Sequence, residues 1–110
     1  MSSKLEFRES EKGAWHVLSA IGRLDTVTAP EGEKTGLAAL AAHEKLVFDL
    51  TAMEYLSSAG LRMMLCIAKQ AKKDGKAFVL SGAAGMVKEV LEAAGMDMLV
   101  TFCDSVDDLP

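Results

Sequence analysis

The sequence predicts an α/β fold, a mixed sheet of four to five strands with an N-terminal hairpin, packed by three to four helices. Three observations carry this. Short apolar runs rich in strand formers recur along the chain, segments with apolar residues every three or four positions separate them, and the first two runs follow each other across a glycine turn. At 110 residues and 50% hydrophobic content the chain suits one domain, residues 1–110, burying roughly 65% of its unfolded surface.

The elements follow in order. "LEFRES" (5–10) alternates apolar with polar, and "AWHVLSAIG" (14–22) is dominated by strand formers beyond Gly13, so the pair reads as a hairpin on an antiparallel edge. In "TVTAPEGEKTGLAALAA", Thr28 stands three residues before Glu31 with Pro30 between them. That spacing predicts a capping box and a helix start, with each of Gly32 and Gly36 weakening the helix by about 1 kcal/mol relative to alanine. "KLVFDL" (45–50) is almost continuously apolar, as a central strand covered on both faces would be. From 59 to 73 the spacing turns helical, with Leu61, Met64, Leu65, Ala68 and Ala71 inward and Arg62, Cys66, Lys69 and Lys73 outward; Asp74 and Gly75 supply the stop. "KAFVLSG" (76–82) is a further buried strand. "GMVKEVLEAAG" (85–95) is a helix with Met86, Val90, Leu91 and Ala94 inward, and "MLVTFC" (98–103) is the last strand. Ser105, three residues before Asp108, can cap one more turn.

Composition excludes several classes of function. A net charge of −4 opposes the phosphate neutralisation that DNA or RNA binding needs, and six scattered aromatics form no base-stacking platform. No run of about 18 apolar residues and no secretory leader occurs, so a soluble cytoplasmic protein without membrane insertion is expected. Cys66 and Cys103 lie far apart, and His16 and His43 have no second ligand near them in sequence, which predicts neither a metal site nor a disulfide framework; no cofactor motif is present either. His16 reads as a packed strand residue and His43 as a solvated charge partner of the first helix. "GAAG" (82–85) lacks the glycine spacing of a dinucleotide loop, and neither histidine stands where a serine nucleophile would need its base, so no enzyme is expected.

The paired serines of "MEYLSSAGLRMML" (53–65) stand where an apolar run ends and a helical pattern begins. Serine suits the first turn of any helix, and it also suits a modifying enzyme; composition alone does not separate the two. A hydroxyl at the first helical position lies among unsatisfied N–H groups where added negative charge is favourable, and Arg62, four residues beyond Ser58, has the spacing to approach a phosphate there. Gly60, lacking a side chain, would let another protein's backbone come close.

These residues resemble the STAS domain, in particular the bacterial anti-sigma-factor antagonists. "GRLDTVTAP" (22–30) is similar to the family's Gly-x-Leu-Asp turn, "LVFDLTAMEYLSSAGLRMML" (46–65) to its central strand and phosphorylation loop, and "VKEVLEAAGM" (87–96) to the helix that ends in Gly-hydrophobic. The resemblance implies a single STAS domain whose serine two places before the loop glycine, Ser58, accepts a phosphate, with Ser57 as the runner-up. Ser57 stands where the family often has aspartate. The resemblance further implies a partner surface of Asp25, Thr26, Ser57, Ser58, Ala59, Gly60, Arg62 and Met63, and Asp49 as the acidic residue ending the central strand. The implied partners are a serine kinase of the GHKL ATPase fold that is also the anti-sigma factor, and a metal-dependent serine phosphatase that resets the switch. Two other readings stay open: a STAS scaffold or regulatory subunit in a lipid-transport complex or signalling assembly, and a small nucleotide-binding protein using the loop after Leu80.

Overall fold

A computed structural model describes residues 4–110. Strands β1 (Leu5–Lys12) and β2 (Trp15–Leu24) form the expected hairpin, and helix α1 (Ala29–Ala42) leads to β3 (Lys45–Asp49). A short strand β4 (Met53–Leu56) precedes helix α2 (Ser58–Lys73), and β5 (Ala77–Ser81) is followed by α3 (Gly85–Ala93), a single helical turn α4 (Met96–Leu99) and β6 (Thr101–Cys103). A 3₁₀ turn at Val106–Asp108 comes last, capped by Ser105 Oγ, which accepts from the Asp107 amide at 3.0 Å as the sequence predicts.

The sheet runs β1-β2-β3-β5-β6, antiparallel at the hairpin and parallel elsewhere, with β3 central. Period-two alternation decides which residues go where. Leu18, Ala20, Leu46, Phe48, Phe78 and Leu80 point to the large core under the helices, whereas Trp15, Val17, Val47 and Val79 build a smaller cluster on the opposite face. Val106 and Leu109 pack on that second cluster, and the Trp15 indole donates to the Pro110 carbonyl at 3.2 Å. The terminal turn thus covers one face of the sheet, which explains the continuous apolarity of β3.

The sheet has one strand more than expected, because "MEYL", assigned to no strand in the sequence, folds as β4. β4 pairs in parallel with the far end of β2, where Leu24 stands opposite Leu56, while the earlier half of β2 pairs with β3. A bulge lies between Gly22 and Arg23, and Gly22 adopts φ +108 there, a backbone conformation that L side chains rarely take.

Several expectations about element ends and faces need correction. The apolar residues 98–100 are not strand: Gly95 takes φ +77, and the chain resumes as a helical turn that buries Met96 and leaves Met98 88% exposed. In α3 the buried residues are Val87 and Leu91, while Met86 and Ala94 are exposed. The start of α1 is not a reciprocal capping box. The Thr28 hydroxyl donates to the Arg23 carbonyl at 2.8 Å and accepts from the Asp25 amide at 2.9 Å, so it ties down the preceding turn, and Glu31 stays exposed. In α2 the inward face turns toward Met63 and Ile67, both buried along with Met64, Ala68 and Ala71, and Leu61 and Leu65 sit at its margin.

Gly32 and Gly36 matter through packing rather than through loose first turns. A Cβ on Gly32 would lie 2.8 Å from Met63 Cε, and one on Gly36 would collide with Ile67 Cδ1, so both glycines let α1 lie close against α2. The C-terminus of α1 is closed by Lys76, whose ammonium donates to the Leu40 and Ala41 carbonyls at 2.6 and 3.2 Å.

His43 is not a free charge partner. It ends α1 and stacks on His16, ring centroids 3.6 Å apart and planes 6° from parallel. His16 is 7% exposed and meets a carboxylate at each ring nitrogen, Glu11 at Nδ1 and Glu9 at Nε2, both at 2.8 Å. Burial alone would lower its pKa, but the hydrogen bonds and charges of Glu11 and Glu9 outweigh burial and raise it.

Candidate functional site

Parallel pairing of β2 with β4 builds the site. With Leu24 opposite Leu56, the residues that follow each strand leave the sheet at the same edge, so the Asp25 turn and the Ser57 loop emerge side by side. The Ser57 amide donates to the Leu24 carbonyl at 2.9 Å and holds the two loops together. On the strands beneath, the Arg23 guanidinium lies 4.3 Å from the centre of the Tyr55 ring.

The two serines divide the roles that sequence alone left undivided. Ser57 is the N-cap of α2, its backbone extended and its hydroxyl accepting from the Gly60 amide at 3.1 Å. Ser58 is the first residue of a 16-residue helix and is exposed to solvent. No acidic residue occupies the first turn of α2, and Arg62, also exposed, stands one turn along. The positive end of the helix therefore faces outward around the Ser58 hydroxyl, with a cation on the i+4 position.

Asp25 is first of all a turn-former. Its Oδ1 accepts from the Val27 and Thr28 amides at 3.0 and 3.1 Å, Oδ2 lies 3.7 Å from Arg23 Nε, and the side chain is only 14% exposed. This geometry displays Thr26 and Val27 outward, Val27 with 75% of its surface in water. Sequence reasoning passed over Val27. Its signal was an aliphatic residue inside a polar turn, which strand periodicity cannot place.

Between this turn and α2 runs a shallow groove of about 260 Å³, lined by Thr26, Ala29, Pro30 and Glu33 on one side and Ala59, Arg62, Met63 and Cys66 on the other. It brings together Thr26, Ala59, Arg62 and Met63 from the sequence-derived set, and Ser58 sits beside it on the first turn of α2. Met63, 2% exposed, serves as its floor. Gly60 does not present open backbone to a visitor: a Cβ there would lie 2.7 Å from the Leu24 carbonyl oxygen and 2.8 Å from Leu56 Cδ1, so the close approach it permits is to this chain's own strands. Asp49 ends β3, its Oδ1 accepting from the Thr51 hydroxyl and amide at 2.6 and 3.1 Å in the bend toward β4.

Comparison with known proteins agrees with this geometry. The sequence profile of the STAS domain matches residues 8–109. A curated Bordetella bronchiseptica protein, BtrV, whose name assigns it provisionally as an anti-sigma factor antagonist, is 41% identical over 51 residues; the match covers 46% of this chain and less than half, 44%, of BtrV. The crystal structure of an anti-sigma factor antagonist from Mycobacterium paratuberculosis superposes with a TM-score of 0.87 at 25% identity, over 96% of this chain and 90% of that one. The phosphorylated form of the Bacillus cell fate determinant SpoIIAA shares the fold at 13% identity, with a TM-score of 0.68 over 88% of this chain and 90% of its own. A Gly-x-Leu-Asp turn, a serine-capped helix beside it and a family profile running almost the length of the chain lead to one conclusion: the chain belongs to the STAS domain family.

Proposed function

We propose that the chain is an anti-sigma factor antagonist, a protein-binding module rather than an enzyme, switched by phosphorylation of Ser58. The observation that carries the reading is the exposed Ser58 hydroxyl at the first position of α2, beside the turn held by Asp25. The partner is an anti-sigma factor that is also a serine kinase of the GHKL fold, and a metal-dependent serine phosphatase removes the phosphate, all in the cytoplasm. Thr26, Ser58, Ala59 and Arg62 line the contact surface, with Asp25 and Ser57 shaping it and Gly60 and Met63 supporting it from below.

Charge sets the direction of the switch. A phosphoserine carries about −1.5 to −2 charges at neutral pH, which the amide-rich end of α2 accommodates within the free protein. Against a partner that packs closely on Ser58 the same dianion must shed its water, and without a cation opposite it that loss weakens binding by about a hundredfold or more. Unmodified protein therefore binds the anti-sigma kinase and frees the sigma factor, and phosphorylated protein lets go.

Gel filtration with a candidate kinase and ATP tests this. Wild type is expected to form a complex that ATP dissolves, Ser58→Ala a complex that ATP leaves intact, and Ser58→Asp no complex. Identical elution of all three with the partner would defeat the switch.

A further inference from the structure

We propose that His16, His43 and Glu11 form a binding site for a borderline-soft divalent cation of the zinc type, on the side of the domain where the hairpin meets the end of α1. One ligand atom from each of these residues lies within 4.8 Å of the others. The three come from β1, β2 and the residue that closes α1, so no local spacing in the sequence announces them. Two imidazoles and a carboxylate form a donor set that suits zinc, copper or nickel and not the oxygen-seeking magnesium or calcium.

A second observation concerns orientation. A histidine that binds a metal through one nitrogen usually donates its other N–H to a carboxylate, which fixes both tautomer and ring direction. Glu9 stands 2.8 Å from His16 Nε2 in that role, leaving Nδ1 directed at Glu11, also at 2.8 Å. His16 is held by the strand and 7% exposed, a rigid anchor, while Glu11 is exposed and His43 partly so, and these two supply the adjustment. Ligand bonds of about 2.0–2.1 Å place neighbouring donors about 3.3 Å apart in a tetrahedral site, so Glu11, now 2.8 Å from His16 Nδ1, must draw back a little to admit the ion while all three ligand atoms, which lie within 4.8 Å of one another, settle at that spacing. The parallel stack must open too, because lone pairs in parallel planes do not converge on one ion, and the His43 ring turns toward Nδ1 of His16. The cation replaces the proton shared by His16 Nδ1 and Glu11, which leaves to solvent, and a water completes the shell. Bound there, it would pin the N-terminal hairpin to the junction of α1 with β3.

Calorimetric titration of untagged protein with zinc chloride tests the site, in a Cys66→Ser background that removes the exposed thiol. One ion per chain is expected, with affinity at least tenfold weaker in His43→Ala and in Glu11→Gln, no saturation by magnesium chloride, and joint shifts of the His16 and His43 ring resonances on zinc addition. Both substitutions fall on residues outside the buried core, and far-UV circular dichroism checks that each variant keeps its fold. Absence of saturable binding, affinity unchanged in both variants, or binding that exists only when Cys66 is present would each overturn the proposal and leave a carboxylate-clamped imidazolium in its place.

Discussion

Substituting Gly60 by alanine probes the joint on which the site is built. Helix propensity favours the change by about 1 kcal/mol. The added methyl, however, would sit 2.7 Å from the Leu24 carbonyl oxygen and 2.8 Å from both Leu24 Cγ and Leu56 Cδ1. Backbone must move, and overpacking of this kind costs about 1–3 kcal/mol. The carbonyl being pushed is the one that accepts from the Ser57 amide, so weakening that bond adds about 0.5–1.5 kcal/mol. Net destabilisation of about 0.5–3.5 kcal/mol follows, a fall of roughly 2–25 °C in melting temperature for a domain of this size. Gly36→Ala is the internal control. Its obstacle is the tip of the Ile67 side chain, which can rotate aside, and propensity offsets the repacking to within about 1 kcal/mol. Thermal melts and urea titrations of both variants give the comparison. Gly60→Ala melting at or above wild type would refute the claim that this glycine exists for the close approach of α2 to β2 and β4.

Ser57→Ala, which removes the cap on the Gly60 amide, is expected to cost about 0.5–2 kcal/mol in urea unfolding, whereas Ser58→Ala, on an exposed first-turn position, changes stability by less than about 0.5 kcal/mol. Equal effects from the two would mean that the roles of cap and displayed hydroxyl are wrongly divided. Asp25→Ala loses the acceptor of the Val27 and Thr28 amides and is expected to destabilise by about 1–3 kcal/mol, while Asp25→Asn, which keeps a side-chain oxygen, retains most of that stability and separates turn structure from charge in partner binding. For Lys76→Met the loss of the cap on the last carbonyls of α1 is expected to cost about 0.5–1 kcal/mol by thermal melt, with no change in partner affinity.

What could be read from the chain, and what could not, divides along range of interaction. The hairpin, the central β3, the end of α2 at Asp74 and the Ser105-capped turn all follow from period, capping and turn chemistry, which are local. β4 escaped because four residues, only Met53 and Leu56 of them buried, are too few to display a period. The run at 98–100 misled because Gly95 redirects the chain into another helical turn, something its apolar composition does not record. Gly32 and Gly36 looked like weaknesses of a single helix and became intelligible only with Met63 and Ile67 opposite them. At the candidate site, Ser58 and Asp25 were singled out by the resemblance to the family's serine loop and Gly-x-Leu-Asp turn. Their adjacency depends on the parallel pairing of Leu24 with Leu56, a contact between distant segments. The His16–His43 stack is of the same kind.

The central claim is that the Ser58 hydroxyl, and not its neighbour, receives the phosphate. Peptide mass spectrometry of the wild-type chain and of Ser58→Ala, each incubated with the anti-sigma kinase and ATP, measures it directly. The account predicts one phosphate on Ser58 in the wild type and none on the variant; phosphate on Ser57, or equal incorporation into both proteins, would contradict it.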